Sequence, residues 1–179
     1  MALTALLLAG CANVQPVLAP TAAVDPASAY LAGTFTRMKG RGFAFVVRPV
    51  GQEVEYMMSL GEDTNLPTAV TDQTVAIKLP PGTYTVAQWV TYNPLSKEIT
   101  TRRAITNSVL NQPFTVKGGT VVHLGRYDVS QYNQREGLNT MIHFRVQPRV
   151  GTTAEMQAAL ARAYPNLAAR PFQCVLCTR

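Results

Sequence analysis

Charge is scarce in this chain. Only 15% of its 179 residues are charged, and acidic residues are the rarer kind, 10 against 16 basic. Disorder needs the reverse balance, high charge with little apolar content. The 47% hydrophobic content therefore points to one domain with a buried core. There are two histidines, one tryptophan and three cysteines, too few cysteines for a disulfide-dense scaffold. No apolar run reaches the ~18 residues of a membrane-spanning helix. The G-x-S-x-G elbow, the H-E-x-x-H zinc pair, the Walker loop and the dinucleotide fingerprint are all missing. Asp63, Asp72 and Asp128 stand apart, at no spacing that marks an acid/base pair. These absences argue against hydrolytic and nucleotide-dependent enzymes. The expectation is a protein that is not an enzyme and takes no cofactor or metal.

The formal charge is +6, which favours acidic partners. Apart from Arg37-Lys39-Arg41 and Arg102-Arg103 the bases are scattered, as on an ordinary solvated surface. No recognition motif accompanies them, so nucleic acid is not an expected partner. Arg37, Lys39 and Arg41, gathered near one turn, are the candidate contact for an anionic polymer.

Not one charged residue precedes Asp25. Ala2 to Gly10 are apolar or small except for Thr4, the length of a secretory h-region. The run ends in Leu8-Ala9-Gly10-Cys11, which resembles the lipobox of bacterial lipoproteins. That resemblance implies a signal peptide over 1–10, cleavage before Cys11 and a diacylglycerol on its sulfur. Two or more acyl chains make a stable membrane anchor. Ala12, where inner-membrane retention favours Asp, implies the periplasmic face of the outer membrane, ahead of the inner membrane or cell surface. A merely apolar N-terminus, packed as a helix, is the plain alternative. Residues 11–29 then form a lipidated Cys and a Pro/Ala-rich tether. Extended, it reaches on the order of 50 Å; alternatively, part of it packs on the domain as an irregular arm.

From Tyr30 to Val150 short segments rich in Val, Thr, Tyr and Phe alternate with Gly and Pro. This texture predicts a mainly β fold, an antiparallel β-sandwich with one C-terminal helix. Val75, Ile77 and Leu79 share one face, as do Ile142, Phe144 and Val146. Phe43 to Val47 is apolar on both faces, which predicts a central strand. Leu79-Pro80-Pro81-Gly82 reverses the chain into an aromatic-rich strand, with Gly82 free to take positive φ. The Leu-Pro-x-Gly-x-Tyr pattern is similar to a hairpin of prealbumin-like and carboxypeptidase-regulatory-like sandwiches, and "FTVKGGTVVHLGRYDV" resembles a strand pair of uncharacterised envelope lipoproteins. The resemblance implies a fold and hardly a function.

Residues 151–179 hold the helix and a Cys-containing tail. Thr152-Thr153-Ala154-Glu155 is a capping box. Met156, Ala159, Leu160, Ala163 and Tyr164 follow on one face, and Pro165 ends the helix. With Cys11 lipidated, Cys174 and Cys177 remain as a pair. A disulfide pinning the tail is the favoured reading. Thiol-redox chemistry and a zinc site completed by His123 and His143 are alternatives. Trp89, Tyr92, Tyr127 and Tyr132 are aromatic candidates for a binding face or for the core. The functional expectation is a membrane-anchored binding or assembly module for another envelope protein. A carrier of small apolar ligands between the sheets is the third possibility.

Overall fold

The computed structural model describes residues 13–37, 42–60, 70–93, 95–106, 108–137 and 139–178. Two sheets face each other across one core. Sheet A runs β1 (Asn13–Val14), β4 (Tyr56–Ser59), β3 (Gly42–Pro49), β6 (Gly82–Tyr92), β7 (Ile99–Ala104), with β8 (Phe114–Val116) also on β6. Sheet B runs β10 (Asn139–Arg149), β9 (Val121–Glu136), β2 (Ala29–Arg37), β5 (Val70–Leu79), with β11 (Phe172–Cys174) also on β9. The chain is thus a mainly β sandwich with one helix near its C-terminus, α1 (Thr153–Ala163). Among the described strands three pairings are parallel: β1 with β4, β2 with β9, and β11 with β9.

Alternation builds the core. Phe43, Phe45 and Val47 of β3 meet Val75, Ile77 and Leu79 of β5 and Leu124, Tyr127 and Val129 of β9. The Tyr127 ring lies 5.1 Å from Phe45 and 5.8 Å from Phe35, and its hydroxyl donates to the Leu124 carbonyl at 2.8 Å. That bond removes the cost of an unpaired buried hydroxyl. As expected, β3 is central, between β4 and β6. Its other face adds Ala44 and Val46 to Met57, Val90 and Tyr92 in a second buried cluster.

The helix covers the outer face of sheet B. Leu160, Tyr164 and the following Leu167 pack on Tyr30, Ala32, Ala76 and Val121. Its start is the capping box read from sequence: Thr152 Oγ1 accepts from Glu155 N–H, and the Glu155 carboxylate accepts from Thr152 N–H at 2.7 Å. The Thr152 N–H, with the Thr152 hydroxyl, holds the Glu155 carboxyl below its ordinary value.

Two local expectations are corrected. The Pro80-Pro81 link is not a hairpin, because β5 lies in sheet B and β6 in sheet A. Neither proline has an N–H to give to a ladder, so the strands part across the core instead of pairing. Tyr84 ties the arch by donating to the Pro80 carbonyl at 2.7 Å, and burial pushes its phenol up to about 12. Gly82 does not take positive φ; a side chain there would press on the Tyr84 ring at 3.2 Å. Likewise Phe114–Val116 and the strand from Val121 are no pair, since β8 belongs to sheet A and β9 to sheet B.

Candidate functional site

The strand directions give the sandwich two unlike ends. At one, Asn13 enters opposite Tyr56, beside the β3–β4 turn and the Pro80-Pro81 arch. At the other, β2 ends at Arg37 opposite Val129. Beyond Val129, among the described residues, β9 pairs with β10 alone and continues as a two-stranded ribbon to Glu136. Phe144 of this ribbon packs against Phe43, 5.6 Å between centroids, which fixes its root.

The ribbon's outer face carries a stack. Tyr132 and His143 are directly opposed in register, with rings 5.2 Å apart and nearly parallel. The Arg145 guanidinium lies 5.4 Å from the Tyr132 centroid. Directly opposed residues on one face of a strand pair are the closest neighbours a sheet offers, and a guanidinium is drawn to the negative face of a ring. Tyr132 is 42% exposed, so the stack presents an amphipathic ring and a cation to solvent. Nearer the root, Asp128 and Arg149 form an ion pair, and Arg126 is bonded to Asp72.

Of the residues singled out from sequence, Cys11, Lys39 and Arg41 lie outside the described residues, as does Asp63. Arg37 is only 4% exposed. It sits within β2 between Val129 and Val70, so it is no solvated surface cation. Cys174 and Cys177 are disulfide-bonded, Cα atoms 5.5 Å apart. The pair starts on the last residue of β11, where a thioredoxin-like pair opens a helix. It pins a tail already held by β11, by Val175 N–H donating to the His123 carbonyl at 2.9 Å, and by Leu176 packing on the core.

His123 and His143 are not brought together. His123 is buried beneath the tail, its ring 5.8 Å from Phe172. Its Nδ1 accepts from Gly125 N–H at 3.0 Å, and Nε2 faces Thr34 Oγ1 at 3.4 Å. Burial pushes its pKa down to about 3, so the ring is neutral and holds its proton on Nε2. No group of three or more His, Cys, Asp or Glu among the described residues is placed to hold a metal ion.

A cleft of about 260 Å³ opens between the sheets on their β7 and β10 side. Phe45, Trp89, Ile105, Leu110, Tyr127 and Val146 line it, with Thr106 and Ser108 the polar members. Trp89 is half-buried there, tilted over Phe43 at 6.3 Å. Tyr92 and Tyr127 are buried. On sheet A, Arg48 and Arg102 both bind Glu55. Burial raises this carboxyl, but the two guanidinium groups outweigh that and hold it below its usual value.

No protein-family model matches this chain, and no curated protein matches it. Among solved structures, a leucine-rich repeat protein from Bacteroides thetaiotaomicron VPI-5482 aligns over 63% of this chain and 14% of its own length. The TM-score is 0.39 and the identity 14%, a likeness that bears on neither fold nor function. The chain spans about a seventh of that protein's length.

Tyr132 was legible as an aromatic candidate. Its partners were not, because nothing local in the sequence says that residue 132 faces residue 143. The alternation of His143 and Arg145 with Phe144 and Val146 was the available signal.

Proposed function

We propose that this chain is a bacterial envelope lipoprotein, acylated at Cys11, whose sandwich is a non-catalytic binding or assembly module at the periplasmic face of the outer membrane. The observation that carries the binding role is the β9–β10 ribbon, with its exposed Tyr132 stack at the end of the sandwich away from Asn13. A tyrosine held between two neighbours offers contact area at little entropic cost, and Arg145 suits a carboxylate-bearing partner. Within the described residues β10 is bonded along one side only, which leaves backbone groups for strand addition by another envelope protein. The lipid anchor raises local concentration.

Two measurements test this. Labelled fatty acid is incorporated by the wild-type chain in cells and not by Cys11→Ser. A photo-crosslinker at Gln134 gives a discrete adduct that Tyr132→Ala with Arg145→Glu weakens by about thirtyfold, the loss of one hot spot. A crosslinker at Thr115 gives none. Equal adducts from both positions would sink the ribbon as the contact.

The cleft favours a second reading, a carrier of small apolar ligands. Trp89 emission would then shift on titration with a fatty acid, and native mass spectra of purified protein would hold a copurified apolar molecule. An unmoved Trp89 and an empty spectrum refute it.

A further inference from the structure

We infer that the sandwich stands end-on and directly on the lipid bilayer, with the β3–β4 turn in the headgroup region. This seating rests on the acylation of Cys11 proposed above. A Pro/Ala-rich stretch after an anchor would otherwise serve as a spacer, holding the domain on the order of 50 Å away. The described part of that stretch is instead fastened to the fold. Asn13 and Val14 pair with Tyr56 and Met57. Gln15 N–H donates to the Met57 carbonyl at 3.0 Å, and Leu18 N–H to the Ala76 carbonyl at 2.8 Å. Val17 packs on the main core, while Leu18 and Val24 pack with the cluster under the helix. Asn166 donates to the Ala22 carbonyl at 3.1 Å. Asp25 is hydrogen-bonded by Lys78, then by Ser28 and the Ala27 N–H, which together hold its carboxyl down at about 2.

Little slack is left. Cys11 stands two positions before Asn13, and two residues of chain reach at most about 7 Å. The direction follows from the pairing. β1 runs parallel to β4, and Asn13 faces the first residue of β4. Asn13 therefore lies at the level of the turn joining Pro49 to Tyr56.

This turn suits a lipid surface. Val50 and Val54 on it are 53% and 50% exposed. Pro80 and Pro81 of the adjoining arch are exposed as well. Two of the carboxylates at this end are paired, Glu55 with Arg48 and Arg102 and Asp25 with Lys78, while Glu53 and Lys117 are exposed. Apolar side chains on a short turn enter the headgroup and acyl boundary by ~5–10 Å. The Tyr132 ribbon then points away from the membrane.

The test uses the full chain, lipidated in bacterial cells and reconstituted into vesicles of phosphatidylethanolamine and phosphatidylglycerol with brominated acyl chains. In a Trp89→Phe background, Val54→Trp reports on the turn and Leu95→Trp on the opposite end, where Leu95 is 73% exposed. Val50→Trp serves if Val54→Trp fails to fold. The seating predicts that both reporters float with the vesicles, that the turn tryptophan loses about half its emission, and that the Leu95→Trp signal is unchanged. Flotation with equal emission at both positions overturns the seating and leaves the anchor intact. Failure of both reporters to float overturns the anchor itself, and the seating with it.

Discussion

Acidification from pH 7 to pH 5 should destabilise this domain through a single side chain. His123 is fully buried, and its folded pKa is about 3. In the unfolded chain an imidazole titrates near 6.5. Below pH 6.5 the unfolded state takes up a proton that the folded state refuses. The stability that His123 contributes is therefore fully present above 6.5 and is lost as pH falls towards 3. The loss is about 1.4 kcal/mol per pH unit, so about 2 kcal/mol at pH 5. The depressed carboxylates Asp25, Glu55 and Glu155 act with the same sign but start from ordinary values near 4, which leaves the interval from 7 to 5 mainly to His123. Urea unfolding followed by Trp89 emission gives the number, as the shift in midpoint at constant slope. His123→Asn keeps an acceptor for Gly125 N–H and removes the titration. It should lose stability at pH 7 and flatten the difference between pH 7 and pH 5. A wild-type difference below about 0.5 kcal/mol, or one that survives in His123→Asn, would refute the assignment.

Two further outcomes concern the tail. Reducing the Cys174–Cys177 bond, or Cys174→Ser with Cys177→Ser, should cost about 2 kcal/mol, since the loop it closes is short; thermal unfolding with and without reductant measures it, and identical midpoints would refute it. Gly125→Ala should cost roughly 1–3 kcal/mol. Gly125 sits at φ 103°, and an added Cβ would lie 3.0 Å from the Leu176 Cβ. Hydrogen exchange at Val175 and Leu176 should rise in this variant, and unchanged protection would count against the packing described.

Local rules read most of the elements. The capping box placed the helix start at Thr152, and apolar character on both faces placed β3 at the centre of sheet A. Where the pattern is short or polar the sequence is mute. β11 was not read from its three residues. Residues 130–136 read SQYNQRE, with no alternation, and the ribbon they form is specified by pairing with β10. Pro80 and Pro81 signalled a reversal, but a reversal within one sheet and one between sheets use the same residues. Arg37 looked like one of three clustered surface cations, and its place between β5 and β9 is what the sequence did not show. The arm at 15–28 lacks any repeat that would announce Leu18 and Val24 as anchors.

The parallel neighbour of β2 also governs the order of assembly. Tyr30 faces Val121, about ninety positions later in the chain. No local hairpin can stand in for that pairing, because parallel strands need a crossover. An emerging polypeptide therefore keeps this half of the molecule open until β9 is available, and closing so large a loop is slow, on the scale of milliseconds to seconds. During that interval β2 has only β5 to hold, and the faces of both remain accessible. Such a chain leaves apolar faces and strand edges uncovered for longer than one built from neighbouring hairpins.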